Sequence, residues 1–278
     1  MSFCVSQFIG RPVTAPCGKT AGHLRDVVVD VRAREYPPVL GLVVRTSARE
    51  APVLVPACNV LELDASGVRL SCEDVPPGRV TWHAGDVLVR RDLVDRLAID
   101  TRHARVGTVL DAELRRVDGQ LSLVGADVGA TGLRHRLAPH LLAPRTVGRL
   151  VDWHDVVPAA SWSSRVLELR ARLARLSALP PASIVRIVNA LTNRQAGDVL
   201  AALEAERAAQ TAAMLVPDRR IAILATMPAA SVATILRALP AEVASHALGR
   251  LPARQVAELL MADAGLAISV RQPVVKRR

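Results

Sequence analysis

Residues 239–260 read LPAEVASHALGRLPARQVAELL, and one 12-residue unit follows another inside that stretch. Leu239-Pro240 opens the first unit and Leu251-Pro252 the second. Working outward, the unit recurs from Leu179, Leu191, Leu203, Leu215 and Met227, so that it fills the C-terminal third of the 278-residue chain. Proline follows the opening residue directly at Pro180, Pro228, Pro240 and Pro252, and one place later at Pro217. The first amides of a helix have no intrahelical acceptor, so a proline there forfeits no hydrogen bond. In a helix interior it would break the ladder. The period therefore predicts repeated short helices and excludes one long one.

Each unit carries one apolar face. Position 6 reads Ile184, Ala196, Ala208, Arg220, Val232, Ala244 and Val256, and position 9 reads Ile187, Val199, Thr211, Ile223, Ile235, Ala247 and Leu259. Position 10 reads Val188, Leu200, Ala212, Leu224, Leu236, Leu248 and Leu260. With the next opening residue these positions are i, i+3, i+4 and i+7, one stripe of a 3.6-residue helix. A helix of about eight residues is unstable alone, so the units must stack into a superhelical array. Arg220 breaks the stripe, and a small rotation putting Ile221 in its place is the expected remedy. Leu236 and Leu248 are expected to be buried at successive helix contacts.

The first half has a different texture. DVVVDV (26–31), a turn through Glu35–Pro38 and VLGLVV (39–44) read as a hairpin. APVLVPACNVLEL (51–63) and GVRLSC (67–72) supply further strands. Valine and leucine runs broken by Gly, Pro and Asp every eight to twelve residues predict a small barrel. The order then returns: Gly22 aligns with Gly107, Asp26 with Asp111, VLGLVV with LVGADV (123–128), and LVPACNV (54–60) with LVDWHDV (150–156). The second copy carries an extra basic stretch, 129–147, with Arg134, Arg136 and Arg145, expected to form a short helix or ordered loop. The resulting division is 1–84 and 85–160 for two barrels, 161–178 for a linker or connecting helix, 179–265 for the helical repeats and 266–278 for a basic tail.

Composition narrows the function classes. Half of the residues are hydrophobic and only 2% are aromatic, so the cores are aliphatic. No run reaches 18 apolar residues without charge, which argues against a membrane-spanning helix. The N-terminus lacks the pattern of a secretory signal. The net charge is +10, of which residues 161–178 and 263–278 contribute +6. The parts expected to fold are nearly balanced, unlike a nucleic-acid protein with a charged folded face. Arg271, Lys276, Arg277 and Arg278 form a tail with the charge to meet an anionic membrane or nucleic acid, although a solvated end is the plainer expectation.

The candidate chemistry is thin. Cys4, Cys17, Cys58 and Cys72 show no metal-ligand spacing, with Cys17 and His23 the nearest approach to a pair. They read as reduced, buried thiols. Gly22 and Gly107 are expected at tight turns, and Asp26 and Asp111 as caps on nearby amides. His135, His140 and His154, with Asp152 and Asp155, are the best metal-ligand candidates. The simpler reading puts Trp153 in a strand core and Asp152, His154 and Asp155 on solvent or turn backbone. DVGATG (127–132) reads as turn glycines. The acids Asp198, Glu204, Glu206, Asp218, Glu242 and Glu258 are scattered through the repeats, although acids on adjacent helices can gather a divalent ion. No motif for phosphate binding, zinc proteolysis or a nucleophilic serine occurs. The chain therefore reads as a non-enzyme.

Two resemblances extend this reading. GRPVTAPCGKTAGHLRDVVVDV with YPPVLGLVV resembles a PRC-barrel, the small barrel of photosynthetic reaction-centre H subunits and ribosome-maturation proteins. RVDGQLSLVGADVG (116–129) and GRLVDWHDV (148–156) resemble a divergent copy of it. The 12-residue repeats resemble the intracellular N-terminal domain of the MgtE-type magnesium transporter. In that family the helical domain is cytosolic and acts with CBS domains to sense magnesium and favour a closed pore, helped by acids at the domain interface. The repeats here are poor in acids, and no acid is matched to a family ligand. No stretch resembles the CBS pair or the pore.

The resemblances imply a fold of two PRC-type barrels followed by a superhelical array. They imply a soluble, cytoplasmic regulatory or scaffolding protein linked to magnesium or another divalent cation. Magnesium is the cofactor to test. The expected partner is a protein, either a separate cation transporter or a second copy, with peripheral contact at the inner membrane face. An RNA-associated or ribosome-maturation factor and a constitutive scaffold without metal sensing are the alternatives.

Overall fold

The computed structural model describes residues 2–32, 35–47, 51–64, 66–72, 86–129, 150–158 and 175–262. The chain divides into two compact units, one of 1–102 with 107–169 and one of 170–278 with 103–106.

The first unit is built on two sheets. Its strands are β1 (Ser2–Cys4), β2 (Pro12–Thr14), β3 (Thr20–Asp30), β4 (Val39–Arg45), β5 (Val53–Pro56), β6 (Val60–Asp64), β7 (Gly67–Leu70), β8 (Asp86–Leu88), β9 (Leu97–Asp100), β10 (Arg105–Val117), β11 (Gln120–Gly129), β12 (Leu150–Asp152) and β13 (Val156–Pro158). One sheet has the order β5-β4-β3-β2-β7-β6, with β8 also on β3. The other has the order β12-β11-β10-β9-β13, with β1 also on β10.

The pairing registers of the two sheets coincide. Leu24 faces Val44 and Asp26 faces Val43 across a bulge, as Val109 faces Val128 and Asp111 faces Asp127. Pro56 pairs with Gly41, as Asp152 pairs with Gly125. Gly22 and Gly107 lie inside β3 and β10, not at turns. A Cβ on Gly22 would meet the Arg45 carbonyl oxygen at 2.6 Å, and one on Gly107 the Gly129 oxygen at 2.4 Å.

Neither sheet closes, which overturns the expectation of two PRC-type barrels and the PRC-barrel resemblance with it. The path of one sheet ends at β5 and β6, and that of the other at β12 and β13. Closure would require each terminal pair to hydrogen-bond along its length. Instead, each pair is consecutive in the chain and joined by a three-residue 3₁₀ turn, Ala57–Asn59 or Trp153–Asp155. Such a turn advances the chain about 6 Å without reversing it, so the two strands cannot lie side by side. APVLVPACNVLEL is thus two strands, not one.

The sheets exchange their short leading strands. β1 pairs with β10 in the second sheet, and β8 pairs with β3 in the first. Cys4 opposite Glu113 occupies the position that Leu88 holds opposite Val28. One continuous core results, in which Phe8, Leu24, Val44 and Leu70 join Leu114, Leu123, Val151 and Trp153.

The second unit contains helices α2 (Pro181–Ala190), α3 (Asn193–Ala202), α4 (Ala205–Met214), α5 (Pro217–Leu224), α6 (Ala229–Ala238), α7 (Ala241–Arg250) and α8 (Ala253–Ala262); the four-residue α1 (Val5–Phe8) belongs to the first unit. Leu191, Leu203, Leu215, Leu239 and Leu251 cap the helices before them with extended backbone. Pro180, Pro228 and Pro240 are N-caps, and Thr192 shares a capping box with Gln195. Six of the seven units are therefore a ten-residue helix and a two-residue link, while the unit from Leu215 has the eight-residue α5, followed by four residues before α6. The helices pack in two rows, α2-α4-α6-α8 and α3-α5-α7.

The stripe is buried from Ile184 through Leu236. Leu236→Ala should cost about 2–5 kcal/mol, because the removed side chain leaves a cavity between packed helices; a urea midpoint equal to wild type would remove it from the core. Leu248 is only half-buried and Leu260 is 44% exposed. Both lie at the end of the described array, where no later helix among the described residues covers them.

Arg220 does not yield to Ile221. It is itself buried, and its guanidinium caps the C-terminal end of α4. Nε donates to the Ala212 carbonyl at 2.7 Å, and Nη2 donates to those of Ala213 and Leu215 at 3.1 and 2.9 Å. Arg219 Nη2 donates to the Val188 and Leu191 carbonyls at the end of α2. Gln255 Nε2 donates to the Leu224 and Met227 carbonyls at the end of α5. The donors Arg219 and Gln255, and their acceptors, are 36 residues apart, or three units. Helix C-termini have carbonyls without partners and a partial negative charge, so these donors lock the array's spacing.

Candidate functional site

The sequence candidates around WHD converge where the two sheets meet. Asp152, at the end of β12, accepts from the His154 amide at 2.9 Å, and its Oδ1 lies 2.7 Å from His154 Nδ1. Tyr36, from the β3–β4 connection of the other sheet, donates its hydroxyl to Asp152 Oδ2 at 3.0 Å. Its ring meets the His154 ring edge to face at 4.7 Å. Glu35 Oε1 lies 3.6 Å from His154 Nε2. Trp153 is fully buried in the core. It sits in the 3₁₀ turn and not on a strand. The cluster joins the two sheets, together with the Leu123 amide, which donates to the Pro37 carbonyl at 2.8 Å.

Burial alone would raise the Asp152 carboxyl pKa. The His154 amide and ring and the Tyr36 hydroxyl outweigh it, and the carboxyl sits below its usual range. A group depressed in the folded state contributes stability above its unfolded pKa and loses it as pH falls through the folded value. Asp152→Asn should therefore flatten the acid limb of stability below about pH 4. Urea midpoints between pH 2 and 6 check this; parallel curves for variant and wild type would refute it.

Asp26 and Asp111 are structural caps on distant backbone. Asp26 Oδ1 accepts from the Val27 and Arg90 amides at 2.8 and 2.7 Å, and Oδ2 from the Arg91 amide at 3.0 Å. Burial pushes its carboxyl up despite these amides. Asp111 accepts from the Ala112 and Ser6 amides at 2.8 and 3.0 Å and from the Ser6 hydroxyl. Each aspartate thus holds the turn that follows the exchanged strand, Val89–Leu93 after β8 and α1 after β1. The sequence showed the matched aspartates but not their remote partners.

The remaining candidates do not gather. None of the four cysteines is in a disulfide, and none is the buried thiol expected: Cys17 and Cys58 are exposed, Cys4 and Cys72 are partly exposed, and His23 lies on an exposed face of β3. His135, His140, the basic stretch around Arg134, Arg136 and Arg145, and the tail from Arg271 lie outside the described residues. Among the repeat acids, Asp218 pairs with Arg250 at 2.7 Å and Glu258 with Arg254 at 3.1 Å. Glu206, Asp218 and Glu242 occupy first helical turns, where negative charge favours the helix start. Among the described residues no group of three or more His, Cys, Asp or Glu is placed to hold a metal ion. The repeat acids therefore do not fit a magnesium site.

Two concavities flank the contact between the sheets. A shallow polar one is lined by Asp30, Arg32, Glu35, Tyr36, Asp118 and Ser122 among others. A deeper one of about 350 Å³ has Val39 and Leu42 at its base and Arg116, Gly119 and Gln120 among its other lining residues. No described helix is long and apolar enough to cross a membrane.

The comparisons with known proteins bear on the helical unit. Residues 172–263 match the family described as the MgtE intracellular N domain. The match covers about a third of the chain and contains all seven helices of the array. No curated protein matches the chain.

Proposed function

We propose that this chain is a non-catalytic regulatory or scaffolding protein that acts on a divalent-cation transporter formed by a separate chain. The similarity of residues 172–263 to the MgtE intracellular N domain carries the reading. The capped helix ends of the array support it, since fixed spacing suits a rigid docking element. We place the cation dependence in the partner, because the repeat acids are dispersed or paired with arginine. The functional segments follow the sequence division: 1–84 and 85–160, the connection 161–178, the array 179–265 and the tail 266–278. The site of action is the inner membrane face, reached from the cytoplasm.

The test combines a deletion strain with calorimetry. Loss of the protein should shift the magnesium range that supports growth, and complementation should restore it. Purified protein titrated with millimolar magnesium should give no more heat than a sodium control at matched ionic strength. An unchanged growth range, or co-purification with ribosomal RNA in place of a transporter, would overturn the proposal.

A further inference from the structure

The coincident registers make one half of the first unit a template for the other. Pro56 and Asp152 pair with equivalent glycines, Gly41 and Gly125, so the 3₁₀ turns that follow are equivalent: Ala57 matches Trp153, and Cys58 matches His154. Pairing of Val29 with Val39 and of Leu114 with Leu123 likewise matches Tyr36 to Gln120 and Glu35 to Gly119. In the second half this corner is filled. Trp153 is buried, and its turn neighbour His154 meets the Tyr36 ring edge to face.

In the first half none of the equivalent positions is aromatic, and the aromatic side chain at the corner is Phe3 from the exchanged β1. Ala57, Cys58, Gly119 and Gln120 occupy those positions, and these four residues line the cavity of about 350 Å³. Leu42, where the second half has Ala126, fills only part of the difference. The volume lies within the range of about 300–1,000 Å³ typical of small-ligand sites. The base is apolar, formed by buried Val39 and Leu42 with Leu63 and Leu121. Arg116, exposed on β10, is the cation among the lining residues. Its Nη1 donates to the Gly119 carbonyl at 3.2 Å, at the two-residue Asp118-Gly119 turn. A guanidinium has five donors, so others remain for a ligand.

We propose that this cavity binds a small planar aromatic carboxylate, its ring taking the place that Trp153 fills in the other half and its carboxylate meeting Arg116. An apolar pocket with one placed charge fixes such a ligand by ring burial and by a charge-assisted hydrogen bond. The proposal is independent of the transporter reading.

Calorimetric titration of the full chain with indole-3-acetate, neutral indole and acetate tests it. Indole-3-acetate should bind one to one, indole about tenfold more weakly, and acetate not at all. Ala57→Trp should abolish binding by filling the corner from within. Arg116→Gln, on the exposed hairpin, should reduce indole-3-acetate to the affinity of indole while leaving indole unchanged, and it keeps the test decisive if Ala57→Trp does not fold. Absence of saturable binding at millimolar ligand would overturn the proposal. So would equal loss of both aromatic ligands in Arg116→Gln, or undiminished binding in a folded Ala57→Trp protein.

Discussion

Trp153→Ala should destabilise the β unit by about 3–5 kcal/mol, the range for removing a large aromatic side chain from a packed core. Trp153 is 1% exposed and belongs to the core cluster shared by both sheets. Urea unfolding followed by near-ultraviolet and far-ultraviolet circular dichroism should show the β transition moving to lower denaturant while the helical transition stays in place. The vacated corner would then resemble its counterpart at Ala57, and added indole should restore part of the lost midpoint. A loss below about 1 kcal/mol would mean that Trp153 does not fill the corner as described.

Arg220→Ala should cost the helical unit about 2–4 kcal/mol. Burial disfavours the charged guanidinium and pulls its pKa down, yet the group is retained because it meets three carbonyls at the end of α4. Each buried acceptor left without a partner costs about 1–3 kcal/mol, and the cation also sits at the negative end of the helix dipole. Arg220→Met separates packing from capping: it restores apolar volume but no donors, and should remain clearly destabilised. Thermal unfolding at 222 nm measures both. Wild-type stability in Arg220→Met would show that only volume matters at this position.

Arg220 also marks where the sequence was least legible. The repeat stripe appears in hydropathy because Ile187, Val199, Ile223 and Ile235 are apolar and regularly spaced. A buried arginine is invisible to that signal, since its partners are backbone atoms that every sequence has. The three-unit recurrence linking Arg219 to Gln255 was hidden for the same reason. In the β unit the repeat was readable from Gly22 and Gly107, Asp26 and Asp111, residues fixed by close strand approach and by capping. Closure was not readable. Whether β5 and β6 pair depends on the 3₁₀ turn between them, and Ala57–Asn59 carries no proline or glycine to announce it. The exchange of β1 and β8 was equally hidden, because strands of three residues give no alternation to read. At the candidate site, Asp152 and His154 were visible as chemistry-bearing residues, but Tyr36 and Glu35 enter from a connection more than 110 residues earlier.

The exchange has a consequence for the order of synthesis. β1 leaves the ribosome well ahead of its partner strand, since residues Glu113–Arg115 follow about 110 residues later. At translation rates of about 5–20 residues per second, that wait lasts about 5–20 s. Throughout it Phe3 lacks its partner Leu114, and Val5 and Phe8 lack the core residues that β10 supplies. Slow codons between β4 and β10 would prolong that vulnerable interval without altering a single contact of the finished protein.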